Sequence, residues 1–141
     1  MSTLLHIQVS PMGDNSISLS VAEEFLTAWK EANPSGNIIE RNLATNPVPV
    51  LDGEANGLAG KKVTAIIAQG GSYKTGSPRE GWDYGSGYLE LVFTALGSTD
   101  VTVVVSEFGL AGVAPGMEDF VDAKSSSIAA AKTAARDRAA A

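Results

Sequence analysis

The chain has 141 residues, 44% of them hydrophobic, which is enough for one domain of ordinary size with a buried core. Its net charge of −6 argues against a nucleic-acid partner and against an anionic membrane surface, because both are bound by clustered Lys and Arg side chains. The absence of cysteine excludes thiolate catalysis and cysteine-based zinc sites, and the single histidine, His6, excludes a histidine-rich metal site. No metal is expected. Because no signal-peptide pattern or long apolar run is visible, we expect a cytoplasmic protein.

Hydrophobic periodicity predicts alternating strands and helices along the chain. The predicted strands are 3–9, 38–39, 62–69 and 100–106, and the predicted helices are 17–32, 88–96 and 117–138. This order predicts an α/β fold with a mostly parallel sheet of about four strands and flanking helices, in a single domain over 1–141. The connection over 43–60 is unusual, because a parallel crossover normally carries a helix and this segment is rich in Pro and Gly.

The segment between the first strand and the first helix has the composition of an anion-binding turn. Ser10, Ser16 and Ser18 place three hydroxyls around a glycine-bearing turn, and the following helix has free N–H groups in its first turn. A dianion such as a phosphate group fits this set of donors. The alternative is that Ser16 only caps the helix and that the other two hydroxyls belong to ordinary turn residues.

Four stretches of the sequence together resemble the FMN-dependent NADH:quinone/azo reductases, a family with a flavodoxin-like fold. These stretches are Leu4–Ser18, Asn42–Gly53, Gly60–Gly71 and Trp82–Val101. The resemblance implies a shortened flavodoxin-like sheet, with FMN as the cofactor and NAD(P)H as the reductant. By the same resemblance, the phosphate-binding positions are Ser10, Ser16, Ile17 and Ser18. The turn that lies beside the flavin ring in the family corresponds to Gln69, Gly70 and Gly71.

The sequence departs from this family between Gly53 and Gly57. There the family carries a long further stretch with a helix, the third strand, a loop that holds the isoalloxazine ring, and another helix. Because adjacent strands lie about 4.8 Å apart, the loss of the third strand would leave its neighbours about twice as far apart. An empty slot would leave buried strand edges unpaired. We therefore expect either direct pairing of the flanking strands or an intertwined homodimer, and the family is dimeric.

The loop over 70–86 supplies groups for a different chemistry. Its aromatic rings and carboxylates could stack a planar substrate and move a proton. The candidate catalytic residues are Asp83, Tyr84, Glu80 and His6. The alternative is a solvated surface loop with Trp82 packed into the core, and a histidine inside a strand is more often a packing residue than a catalyst.

Three functions stay open on the sequence alone. The first, implied by the resemblance, is an FMN-binding, NAD(P)H-dependent reductase of quinones or azo compounds. The second is a flavin-independent cyclase, isomerase or dehydratase that acts on an aromatic or polyketide-like molecule. The third is a binding module without chemistry. Both enzymatic functions need a small planar aromatic substrate, and we expect a homodimer.

Overall fold

The computed structural model describes residues 2–10, 12–43, 45–46 and 57–141. Its elements are β1 (Thr3–Gln8), α1 (Ile17–Ala32), β2 (Asn37–Asn42), β3 (Lys62–Ala68), α2 (Tyr84–Ala95), β4 (Asp100–Ser106) and α3 (Val121–Ala140). This order confirms the predicted α/β class. The middle of the predicted connection, including most of the predicted interruption near 54–57, lies outside the described residues. Within the described part of the chain, no helix combines the length and the apolar character that a membrane span requires.

The internal contacts of the chain divide it into two compact units. The first is Met1–Asp52 with Lys132–Ala141, and the second is Gly53–Ala131. Each unit holds one parallel strand pair: β1 pairs with β2, and β3 pairs with β4. The described strands therefore form two two-stranded sheets, where the sequence predicts one sheet of about four strands. Direct pairing of the first and third strands, one of the two predicted ways of closing the sheet, stays a prediction. The single domain over 1–141 stays a prediction.

In the first unit, α1 connects the two parallel strands and buries the inward side of its helix. Val21 and Ala28 are buried, as their helical spacing predicts. The last turns of α3 belong to the same unit and are held by ion pairs. Arg136 pairs with Glu24 at 3.2 Å and with Glu31 at 3.3 Å, and both glutamates lie on α1. These exposed pairs fix the position of the terminal turns more than they add to stability.

In the second unit, α2 connects β3 with β4 and begins earlier than predicted. It starts at Tyr84, inside the segment that the sequence assigns to a loop. The reason is a helix cap: the carboxylate of Asp83 accepts the Ser86 N–H at 2.9 Å and the Ser86 hydroxyl at 2.7 Å. The predicted buried stripe of α2 is only partly correct, because Tyr88 is exposed. The half-buried members of the stripe are Leu89, Val92 and Phe93.

Candidate functional site

The carboxyl ends of β3 and β4 are joined by backbone hydrogen bonds between the loops that follow them. The carbonyls of residues 69–71 accept the N–H groups of residues 108–110, at distances of 2.8, 3.1 and 3.3 Å. The carbonyls of Gly70 and Gly71 are thus occupied, whereas their own N–H groups meet no acceptor among the described residues. Because N–H groups rarely stay without an acceptor unless water or a ligand reaches them, these two are candidate ligand donors.

The two glycines differ in the space around their α-carbons. A methyl group at Gly71 would meet nothing within 4 Å. A methyl group at Gly70 would approach Cδ1 of Leu110 to 2.9 Å, so that the leucine side chain would have to move. The backbone at Gly71 therefore has an open side that a flat ligand could approach closely.

The side chain of Gln69 donates a hydrogen bond to the carboxylate of Asp83, which also accepts two hydrogen bonds from Ser86 and one from the Gly85 N–H. Burial, the largest single influence, raises the pKa of Asp83, but the hydrogen bonds together outweigh it and hold this pKa below its usual range. The structure thus brings together a predicted cofactor residue and a predicted catalytic residue. An ionised carboxylate with so many donors is suited to anchor the Gln69 turn. Its role in catalysis stays a prediction.

A buried carboxylate that the sequence analysis missed lies directly after β4. The side chain of Glu107 is 7% exposed, accepts a hydrogen bond from the Ser72 hydroxyl at 2.6 Å and forms an ion pair with Lys74. Its own N–H donates to the Ser127 hydroxyl at 2.8 Å. The available signal was its place immediately after an apolar strand, since ligands of open α/β sheets bind beyond the carboxyl ends of the strands.

The front loop of the first unit forms a cap with neighbouring donors. Ser16 is buried, and its hydroxyl oxygen accepts the Leu19 N–H at 3.3 Å and lies 3.1 Å from the Ser18 hydroxyl oxygen. The N–H groups of Ile17 and Ser18 lie in the first turn of α1, where a helix supplies no carbonyl acceptor. The cap and the hydroxyl cluster are therefore both present, and the two alternatives for Ser16 do not exclude each other.

Proteins named FMN-dependent NADH:quinone oxidoreductase are similar to this chain along its whole length. The one from Frankia casuarinae (strain DSM 45818 / CECT 9043 / HFP020203 / CcI3) is 31% identical and is matched over 99% of both chains. The one from Parafrankia sp. (strain EAN1pec) is 30% identical and is matched over 100% of both chains. The chain belongs to the FMN-dependent NADH:quinone oxidoreductase family. A family model described as flavodoxin-like fold also matches residues 2–55.

Solved azoreductase structures share the fold of this family member. An azoreductase from Bacillus anthracis str. Sterne superposes with a TM-score of 0.75 over 99% of both chains, at 16% identity. An FMN-dependent NADH-azoreductase from Bacillus anthracis str. Ames Ancestor, in complex with FMN, gives a TM-score of 0.69 over 99% of this chain and 100% of that one, at 18% identity. At such low identity the likeness concerns the fold, and it confirms the predicted flavodoxin-like class.

The comparison with family members also bears on the predicted missing stretch. The alignment with the Frankia casuarinae protein spans 209 positions although this chain has 141 residues, so at least 68 positions have no residue of this chain. The match to the flavodoxin-like family model ends at residue 55, inside the interval where the sequence departs from the family. The place of the missing stretch, near 54–57, stays a prediction.

The other candidate residues are not among the hydrogen-bond partners given for Asp83 above. The Glu80 carboxylate accepts the Gly76 N–H at 2.8 Å, and Tyr84 is 79% exposed in the first turn of α2.

His6 belongs to the first unit, where it is half-buried in β1. Its Nδ1 is buried with no hydrogen-bond partner among the described residues. Ser10, in the same unit, accepts the N–H two residues further along the chain at 3.3 Å, which leaves its hydroxyl proton available.

The expectation that Trp82 packs into the core is wrong. Its side chain is 60% exposed, and the guanidinium carbon of Arg79 lies 5.8 Å from the centre of its ring system. The N–H of Trp82 donates to the carbonyl of Arg79 at 3.1 Å, so a tight turn brings the cation over the ring. The attraction between a guanidinium and the face of an indole ring stabilises that ring even where it is not buried in the protein interior.

Proposed function

We propose that this protein is an FMN-binding, NAD(P)H-dependent reductase of quinones or azo compounds. The observation that carries the proposal is the similarity, over the whole of both chains, to relatives named FMN-dependent NADH:quinone oxidoreductase. Bound FMN would supply the redox chemistry by accepting two electrons from NAD(P)H and passing them to a planar acceptor. The residues of this chain would bind, orient and shield it.

The front loop fits the phosphate group of FMN. The helix that begins at Ile17 has 16 residues, and the N–H groups of Ile17 and Ser18 in its first turn have no carbonyl acceptor within the helix, where the helix dipole gives a partial positive charge. The hydroxyls of Ser16 and Ser18 lie 3.1 Å apart at this end of the helix, so one phosphate group can accept from both. Ser16 also serves as the cap, whereas the hydroxyl of Ser18 has a hydrogen bond only to that of Ser16, so Ser18 is the position at which a phosphate contact can be tested without loss of the cap.

The turn after β3 fits the edge of a flavin ring. The pyrimidine edge of isoalloxazine carries carbonyl and nitrogen acceptors, and Gly70 and Gly71 present N–H groups without acceptors among the described residues. Gly71 has an open side for close approach of a ring. The hydrogen bond between Gln69 and Asp83 would hold this turn in place while the ring is bound. No step of the proposal requires Asp83 to exchange a proton.

We extend the proposal to a cytoplasmic homodimer. The relatives carry at least 68 aligned positions that this chain lacks, so part of the ring contact has to come from elsewhere. A second copy of the chain can supply it, because most oligomers are symmetric assemblies of identical chains. Light scattering of the protein with and without FMN tests this extension, and a monomer in both conditions contradicts it.

The experiment that tests the function is a titration of the purified protein with FMN, followed by flavin fluorescence and the visible spectrum. We expect saturable binding and NADH-dependent reduction of a quinone. Ser18→Ala should weaken FMN binding about tenfold or more, because a hydrogen bond to a charged group is lost. The matched control is Ser20→Ala on the same helix, whose hydroxyl donates to the Ile17 carbonyl at 2.9 Å.

Riboflavin, which lacks the phosphate group, distinguishes contacts to the phosphate from contacts to the ring. Its affinity should be the same for the wild type and for Ser18→Ala if Ser18 contacts the phosphate. A protein that ignores FMN at high micromolar concentration refutes the proposed function. Equal losses of FMN affinity in the Ser18 and Ser20 variants would refute only the phosphate assignment.

A further inference from the structure

The loop that follows β4 contains a residue in a backbone conformation that bulky side chains rarely adopt. Phe108 has a φ of 61°, and it is the only non-glycine with a positive φ in the described part of the chain. Such a conformation persists where the surrounding contacts hold it. The ring of Phe108 stacks on that of Phe120, with centroids 5.5 Å apart and planes inclined by 9°. The Phe108 N–H donates to the carbonyl of Gly71 at 3.3 Å, so the loop is also held against the turn after β3.

The first two turns of α3 supply further contacts to this loop. The Lys124 ammonium donates to the carbonyls of Gly109 and Ala111, at 3.1 and 3.3 Å. The Ser127 hydroxyl accepts the N–H of Glu107 at 2.8 Å. Contacts within the second unit thus define the conformation of the loop, and with it the position of the Glu107 side chain.

The Glu107 carboxylate connects this loop to the residue that follows Gly71. One of its oxygens accepts the Ser72 hydroxyl at 2.6 Å, and the other pairs with the Lys74 ammonium. The Glu107 side chain is 7% exposed, whereas that of Lys74 is 78% exposed. Because water screens an exposed charge more than a buried one, the carboxylate has the stronger electrostatic effect on its surroundings.

We propose that Glu107 is a positioning residue of the flavin site. It holds the Gly71 turn through Ser72, and its charge influences how strongly reduced FMN binds relative to oxidised FMN. The inference rests on the proposed function, in which the N–H groups of Gly70 and Gly71 bind the pyrimidine edge of the ring. That edge gains negative charge when a flavin is reduced, so a nearby carboxylate disfavours the reduced form and a cation favours it. The ion pair with Lys74 balances the two effects.

A purely structural role for Glu107 predicts a different outcome. If the carboxylate only stabilised the loop, the loss of either partner of the ion pair would weaken the binding of both forms of FMN together. An effect of charge predicts opposite changes, because Glu107→Gln removes a negative charge and Lys74→Met removes a positive one. The glutamine amide oxygen can still accept the Ser72 hydroxyl, so Glu107→Gln changes the charge without loss of this hydrogen bond.

The reduction potential of bound FMN is the measurement, made by equilibration with a dye of known potential. By thermodynamic linkage, this potential follows the ratio of the affinities for reduced and oxidised FMN. We expect Glu107→Gln to shift the ratio toward reduced FMN about threefold or more. Lys74→Met should shift it toward oxidised FMN, and by less, because water screens the exposed ammonium. The double variant Lys74→Met/Glu107→Gln should return close to the wild type.

Ser72→Ala tests the hydrogen bond through which Glu107 holds the turn. This variant should weaken the binding of FMN and of riboflavin by the same factor, about threefold or more, because the turn binds the ring and not the phosphate. Ser125→Ala is the matched control on α3, where the Ser125 hydroxyl donates to the Val121 carbonyl at 3.1 Å. Unchanged affinity for both flavins in Ser72→Ala would contradict the positioning role.

Two further variants control for the change in net charge. Glu90→Gln on α2 and Lys61→Met just before β3 lie at exposed positions and should leave the potential unchanged. Shifts of the same sign in Glu107→Gln and Lys74→Met, or shifts no larger than in the controls, overturn the inference and leave the reductase function standing. If Glu107→Gln does not fold, an unchanged potential in Lys74→Met overturns it instead. A protein that binds no FMN refutes the proposed function and the inference with it.

Discussion

The amide of Gln69 donates a hydrogen bond to the carboxylate of Asp83, which ties the end of β3 to the first turn of α2. One carboxylate thus performs two structural tasks, because it also caps α2 through Ser86. The bond gives the Gln69 turn a fixed position relative to the helix that follows it. These hydrogen bonds explain how a segment with many turn-forming residues takes up a defined conformation around Asp83.

We expect Asp83→Ala to lower the free energy of unfolding by about 1 kcal/mol, because a helix cap is lost. Asp83→Asn is the informative partner, since an asparagine at this position also caps a helix and can still accept the Gln69 amide. Denaturant unfolding followed by circular dichroism measures both. Equal losses in the two variants would contradict the cap as the source of the effect. Full quinone reductase activity in Asp83→Asn would in addition exclude an essential proton transfer by Asp83.

The pKa of Asp83 lies below its ordinary value of 3.8 in the folded protein, so the unfolded chain binds this proton more readily. The stabilisation from the ionised carboxylate is therefore complete above about pH 5 and is lost as the pH falls through the folded-state pKa. We expect the stability difference between wild type and Asp83→Asn to be larger at about pH 6 than at about pH 3. Glu90→Gln, an exposed carboxylate on α2, controls for the change in charge. A difference that does not vary with pH would contradict the assignment.

Local patterns in the sequence predicted most of the elements but not how the strands associate. The strand Asp100–Ser106 has the predicted bounds, because a short run of β-branched residues between two polar residues strongly favours a strand of that length. The start of α2 at Tyr84 was missed because the glycines and charged residues over 70–86 are typical of a loop. The helix cap there depends on one carboxylate, that of Asp83. The pairing of β1 with β2 and of β3 with β4 depends on contacts distant in sequence, which no local pattern encodes.

The candidate site was predictable where it depends on backbone shape. The serine-bearing front loop and the Gly70–Gly71 turn follow from residue types that form caps and close approaches. Glu107 was not predicted because a single carboxylate after a strand is typical of the start of a solvated loop. Its side-chain partners Ser72 and Lys74 are both more than 30 positions away in the sequence. The exposure of Trp82 was not predicted, because its contact with the guanidinium of Arg79 cannot be inferred from sequence spacing alone.

The ion pair between Glu107 and Lys74 should stabilise the second unit through the buried partner. The Glu107 side chain is 7% exposed and the Lys74 side chain 78%, so the loss of the lysine leaves a buried carboxylate without its cation. We expect Lys74→Met to lower the free energy of unfolding by about 1 to 2 kcal/mol, the ammonium being open to water. Lys61→Met, at an exposed position, is the control.

The double variant Lys74→Met/Glu107→Gln completes the thermodynamic cycle for this pair. Because the neutral amide no longer needs a cation, the second substitution should restore part of the stability that the first removes. Additive losses in the double variant would show that the two side chains are not energetically coupled. Equilibrium unfolding of all four proteins in one denaturant gives the coupling free energy directly.

The open side of Gly71 leads to a prediction that separates folding from cofactor binding. A methyl group there meets nothing within 4 Å, so Gly71→Ala should leave the free energy of unfolding close to that of the wild type. If a flavin ring lies against this backbone, the same methyl group occupies space that the ring needs, and FMN should bind about tenfold more weakly. Gly87→Ala, inside α2 and equally open, is the matched control and should leave FMN affinity unchanged. Unchanged FMN binding in both variants would place the ring elsewhere, whereas a loss for riboflavin as large as for FMN would tie the effect to the ring rather than to the phosphate.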